Sequence, residues 1–205
     1  MKTITALFDD YEDAAKTVRA LEAAGFASDD ISLVVSTYED QVGETSPPDT
    51  VSAEGAGTGA GIGALLGGAG GLLAGLGALA IPGIGPVVAA GWLVSTALGA
   101  VAGAAVGGAT GGVIGGFTGS GIHEQDAHVF AEGVRRGGSV VSVRAEDNRE
   151  GEIQAIFTAA NQVDIAERRA RFEADGWQYF DPDAAPYDPD TIRRRRGLDN
   201  LPGPV

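Results

Sequence analysis

The chain has 205 residues, 28 acidic against 14 basic side chains, a net charge of −14 and no cysteine, which is length enough for one ordinary domain plus an insertion. So acidic a surface repels nucleic acid phosphates, and without thiols there is no disulfide framework and no thiolate chemistry. The charge is uneven: residues 1–54 carry twelve acidic and three basic side chains, residues 124–205 sixteen and eleven, and residues 55–121 none, although that stretch holds 24 of the 33 glycines.

After Met1-Lys2 no apolar run of signal length follows, so a cytoplasmic start is expected. Thr3 to Phe8 reads as a strand with Ile4, Ala6 and Phe8 on one face. Asp9 or Asp10 is placed to cap the next helix, whose apolar stripe is Ala14, Ala15, Val18 and Leu21. Gly25 suits the left-handed position past its end, with Phe26 folding back onto Leu21. Asp29-Asp30 turns the chain into a second strand, Ile31 to Ser36. Residues 1–36 thus form a βαβ unit, the first half of an α+β domain. Residues 37–54, acidic and containing Pro47-Pro48, read as a linker.

Residues 55–121 divide at Ile81-Pro82-Gly83-Ile84-Gly85-Pro86, because proline stops a helix and glycine permits the turn, placed here at 82–86. Small residues then recur every fourth position, at Gly55, Gly59, Gly63, Gly67, Gly71 and Gly75 in the first arm. In the second arm they are Gly91, Ser95, Gly99, Gly103, Gly107, Gly111, Gly115 and Gly119. A step of four lines one helix groove with small residues and lets a second backbone approach closely. The expectation is a glycine-zipper helical hairpin, with Gly59, Gly63, Gly67, Gly71, Gly75, Gly99, Gly103, Gly107, Gly111 and Gly115 as self-association positions.

Each helical glycine costs about 1 kcal/mol relative to alanine, so the hairpin requires a compensating environment. A lipid bilayer is one, since backbone groups there must bond internally. The first arm, Gly57 to Ile81, would be ~37 Å long against a ~30 Å hydrocarbon core; the second is richest in apolar residues from Val87 to Val106. Burial inside a soluble homo-oligomer is the other. The charge-free length favours lipid, whereas the acidic flanks lack the basic residues that usually fix topology. Two spans would leave both termini in the cytoplasm. Low-complexity disorder is disfavoured by the regular spacing. A pore has few polar side chains to line it, chiefly Ser95, Thr96 and Thr110.

Beyond the tract, Glu124 to Arg136 places Ala127, Phe130, Ala131 and Val134 at helical spacing, stopped by Gly137-Gly138. Ser139 to Arg144 is a third strand. Asp147 or Asn148 is placed to cap a further helix with Ile153, Ile156, Phe157 and Ala160 buried, and Val163 to Ile165 reads as a short closing strand. Residues 122–166 therefore supply the second half of the domain, and the two halves make one small α+β sandwich interrupted by the hairpin. Residues 167–205 form a partly disordered tail in which Arg168 to Phe172 prolongs a helix. Its Trp177, Tyr179, Phe180 and Tyr187 either pack back on the domain or, for Trp177, Tyr179 and Phe180, form a docking motif. Arg193 to Arg196 is a short basic run suited to solvent, lipid head groups or an acidic neighbour.

The first strand and helix ending in Ala23-Ala24-Gly25-Phe26, the glycine-rich hairpin, and Ala131-Glu132-Gly133-Val134-Arg135-Arg136-Gly137-Gly138 before a valine-rich strand together resemble the bacterial general stress protein family. The resemblance covers residues 3–166. It implies a small ferredoxin-like domain carrying a glycine-zipper hairpin, a stress-associated role, and no catalytic residues to carry over.

Nucleotide chemistry finds no support in the motifs. The only lysines are Lys2 and Lys16, where a phosphate-binding loop needs one directly after its glycines, and no G-x-G-x-x-G follows a strand. His123 and His128 are five apart and point to different helix faces, unlike paired metal ligands. Gly119-Ser120-Gly121 has no base at a known spacing, and Asp9-Asp10 and Asp29-Asp30 are explained by caps and turns. No catalytic, metal or cofactor site is expected, and neither nucleic acid nor a small-molecule substrate. The expected function is that of a non-enzymatic, stress-associated protein that self-associates and inserts in or binds the cytoplasmic membrane; the alternative is a soluble self-assembling scaffold.

Overall fold

The computed structural model describes residues 1–36, 77–81, 83–92 and 113–196. Its elements in chain order are β1 (Lys2–Phe8), α1 (Tyr11–Ala23), β2 (Ile31–Ser36), β3 (Gly77–Ile81), β4 (Gly85–Ala90), α2 (Val113–Gly119), α3 (Glu124–Arg135), β5 (Ser139–Ala145), α4 (Glu150–Ala159), α5 (Ile165–Ala174) and α6 (Pro189–Arg196). The strands form one sheet in the order β1-β5-β2-β4-β3, with every neighbouring pair antiparallel. β1 and β2 are therefore parallel to each other, with β5 between them.

Alternation along each strand sorts the side chains onto two faces. Ile4, Ala6 and Phe8 of β1, Ile31, Leu33 and Val35 of β2 and Val141 and Val143 of β5 share one cluster with α1 and α4. Phe8 and Phe157 meet there edge to face with centroids 6.1 Å apart, worth about 0.5–1.5 kcal/mol beyond the area they bury. Leu7, Val34 and Val140 occupy the opposite face, under Ala127, Phe130, Ala131 and Val134 of α3 and Phe117 of α2. That face turns polar toward one end, where the hydroxyls of Thr5 and Ser142 lie 2.9 Å apart. With helices on both faces, all six residues of β2 are buried.

Helices α1 to α5 stop in the same way. In α1 the amide of Phe26 donates to Leu21 and that of Gly25 to Glu22, with Gly25 at φ 84, the pairing that satisfies carbonyls left open at a helix end. At α4 the same position is filled by Asn161 at φ 60, a non-glycine residue that tolerates the left-handed region. The helix starts differ from expectation. Asp10 and Arg149 are the cap residues of α1 and α4, and neither makes a side-chain cap bond; Asp9 instead holds Arg168 at 2.7 Å. Asp164 does cap α5, accepting from the Glu167 amide at 2.8 Å. Val163 to Ile165 is not a strand: the Val163 amide donates to Leu7 at 2.8 Å along the β1 edge, and α5 begins at Ile165.

The main correction concerns residues 77–90. The helical hairpin expected across them is a β-hairpin, β3–β4, that extends the sheet beyond β2. A short apolar run with Val87-Val88 reads equally as buried helix or strand, and here the open edge of β2 supplies backbone partners. The proline-glycine turn itself is retained. Ile84 donates to the Ile81 carbonyl at 3.1 Å, and Gly83 at φ 76 holds the turn position that favours glycine. Pairing with β2 starts at Val87, so the donor missing at Pro86 costs the β2–β4 ladder nothing.

Asn161 also ties α4 to α1. Its side-chain amide donates to the Asp13 carboxylate at 3.2 Å, and Lys16 donates to the same carboxylate at 3.1 Å; these bonds hold Asp13 below the usual carboxylate range. A depressed value favours the ionised form in the fold, so the stabilisation is complete above the unfolded value and is lost as pH falls through the lowered one. Asn161→Gly keeps a residue suited to φ 60 while removing the donor. Its urea midpoint should fall below wild type at neutral pH, and the difference should shrink in acid, where the carboxyl is protonated in both states.

Candidate functional site

Of the ten zipper positions, Gly59, Gly63, Gly67, Gly71, Gly75, Gly99, Gly103, Gly107 and Gly111 lie outside the described residues. Gly115 lies within α2, where a β-carbon would meet nothing within 4 Å. The described residues that border these positions are fixed in the fold. β2 ends at Ser36, β3 begins at Gly77, Trp92 follows β4, and α2 begins at Val113. Trp92 is tied to the domain by its indole N–H, which donates to Asp30 O at 3.1 Å, and by the Arg144 guanidinium, 4.8 Å above its ring.

The three aromatics considered for docking have separate surroundings. Trp177 packs edge-on against Phe172 at 5.5 Å. Tyr179 is 63% exposed and approaches the His128 ring at 6.4 Å. Phe180 is 2% exposed and belongs to the core under α3. They do not form one exposed patch; Phe180 fastens the tail to the domain.

That fastening is organised by α3. Glu132 is fully buried, at 0% exposure, and accepts from Arg135 Nη1 at 3.3 Å and from Arg136 Nε at 2.7 Å. A buried carboxylate requires such charged partners. Each arginine then reaches the tail. Arg135 donates to the Ala185 carbonyl at 2.9 Å and stands 4.5 Å over the Tyr187 ring. Arg136 pairs with Asp175 at 3.1 Å and stands 4.1 Å over Phe172. One turn earlier, His128 Nδ1 accepts the Phe180 amide at 3.2 Å. The α3 spacing of 128, 132, 135 and 136 places these side chains on one helix face.

In the sequence, Glu132, Arg135 and Arg136 stand out only as members of the run that carries the resemblance, with no role assigned to any of them. The signal was there: a glutamate followed at i+3 and i+4 by two arginines, inside a run that is otherwise alanine, glycine and valine. Chemically the arrangement clamps and orients. The imidazole Nδ1 of His128 is occupied by a backbone donor, and its Nε2 is 4.0 Å from Glu124. Among the described residues no three potential ligands gather as a metal site, and no helix is long and apolar enough to cross a membrane. Comparison with family models, with curated proteins and with solved structures finds no match to this chain.

Proposed function

We propose that this chain is a non-enzymatic, stress-associated protein with a ferredoxin-like domain that self-associates through the regularly spaced small residues of 55–76 and 93–112. The β1-α1-β2 unit with β5 inserted between parallel β1 and β2, followed by α4 and the single Val163 bond to β1, supports the ferredoxin-like reading. The observation that carries the function is the position of β3–β4. It is part of the sheet, so the uncharged sequence on either side of it is tethered to a folded domain at Gly77, Trp92 and Val113, while the acidic residues 37–54 separate its start from Ser36. The resemblance alone carries the stress role.

A soluble homo-oligomer is the reading this position favours. A bilayer-crossing hairpin with its apex at residues 82–86 would have to draw β3–β4 out of the sheet, because that apex packs on the domain through Ile84. Contact with the cytoplasmic face of a membrane remains the second reading, favoured by 67 consecutive residues without charge. Replacing Gly67 and Gly103 by leucine fills the grooves and should reduce the oligomer to monomers in light scattering. An unchanged mass for the double variant rejects the zipper. Sedimentation of the native protein, followed by a carbonate wash of the pellet, separates the soluble reading from the lipid one.

A further inference from the structure

The tail crosses the β3–β4 turn at very short range. A β-carbon built on Gly83 would lie 2.7 Å from the Asp181 carbonyl oxygen, 2.8 Å from Pro182 Cα and 3.0 Å from Phe180 Cζ, closer than a methyl can approach backbone. Phe180 enters the same cluster as Ile84 and Val87 of the hairpin. On either side of this crossing the tail is pinned to α3: Asp175 by Arg136, Phe180 by His128, and Ala185 and Tyr187 by Arg135. Between the pins most residues are exposed, including 178, 179, 181, 183, 185 and 186. β3, in turn, pairs only with β4 among the described strands, and β4 joins β2 over four residue pairs. The hairpin is thus an outlying part of the sheet with a band of chain fastened across its turn.

We propose that residues 175–187 are an intramolecular strap that keeps the β3–β4 hairpin on the sheet and thereby restrains the glycine-rich segments on either side of it from association. The second half of this statement rests on the self-association reading; the first does not. Phe180 and its neighbours hold the turn, Arg135 and Arg136 hold the strap, and Glu132 holds both arginines in place. Release at Phe180 lowers the barrier to local opening of the hairpin without opening the central strands, because β1, β5 and β2 keep their own register and the core beneath α1 and α4. Freed residues 77–90 become continuous with the uncharged chain before and after them, so the surface available to a second copy grows.

Hydrogen exchange on the full-length protein tests this with two variants. Phe180→Ala empties the pin, and Tyr187→Ala removes a weaker contact outside the core; Tyr179→Ala, at an exposed side chain, is the control. In Phe180→Ala the amides of Ala89 and Val87 should exchange at least about tenfold faster, those of Ile4 and Val143 should stay protected, and the mean oligomer mass should rise. Tyr187→Ala should move the same amides in the same direction by less, and Tyr179→Ala should move none. Unchanged exchange at Val87 and Ala89 in both variants overturns the strap, as does an equal rise at Ile4 and Val143. Faster exchange with an unaltered oligomer mass overturns the restraint on association. A native protein and glycine variants that are all monomeric would reject self-association itself, while the exchange data still decide the strap.

Discussion

Glu132→Ala should lower the unfolding free energy by about 3–5 kcal/mol, the usual cost of breaking a buried ion pair from one side. The carboxylate is inaccessible to water, and the guanidiniums of Arg135 and Arg136 converge on it from one turn away along α3. Without it two cations face each other in a poorly solvated site, and the partners that remain, Asp175 and the Ala185 carbonyl, lie out on the tail. Urea unfolding of the variant against wild type measures the loss. Because the pair is buried, the difference should change little between low and high salt, unlike that of a surface ion pair. Glu132→Gln, which keeps an acceptor of similar shape, should lose less. A loss below about 1 kcal/mol for the alanine variant would place the pair with ordinary surface bridges and remove α3 as the organiser of the tail.

Gly91→Ala should be comparably severe for a different reason. A methyl there would lie 2.0 Å from the Ile31 carbonyl oxygen and 2.8 Å from Ser32 Cα, on a residue already at φ 88. Neither neighbour is a side-chain end that can rotate away; both belong to the start of β2. Backbone strain and overpacking together make a cost on the order of 3 kcal/mol. The damage should be local. β4 would be pushed from β2, so amides of Leu33 and Val35 that face β4 should lose exchange protection before those of the β1–β5 pair do. Equal loss across the sheet would mean that the hairpin and the central strands open as a single unit. Gly115, where a β-carbon meets nothing within 4 Å, is the natural control, since alanine there should be tolerated.

The elements outside the tract were legible from local chemistry. β1, α1, β2, α3, β5 and α4 follow from apolar spacing, and the stops at Gly25 and Gly137 follow from the left-handed residue a helix end requires. Side-chain caps were less legible. Asp9 fits a cap by its position, yet its carboxylate is drawn to Arg168, a partner 159 residues away. The tail was readable only as aromatics that either pack inward or face out. Which of them does which depended on α3 offering His128, Arg135 and Arg136 at matching heights, and on the room left beside Gly83.

What the residue order determines on its own is the division of the molecule: charged α+β segments on either side of an uncharged, glycine-rich stretch with a proline-glycine turn at its middle. That follows from composition and short-range backbone preference, which act without a partner. Tertiary structure decided what the turn joins. Around it, Leu79 to Ala90 has no polar side chain to reveal a period, so helix and strand differ only in where the backbone hydrogen bonds go. The exposed edge of β2, distant in sequence from Val87, supplies those bonds and makes the middle of the tract part of the sheet.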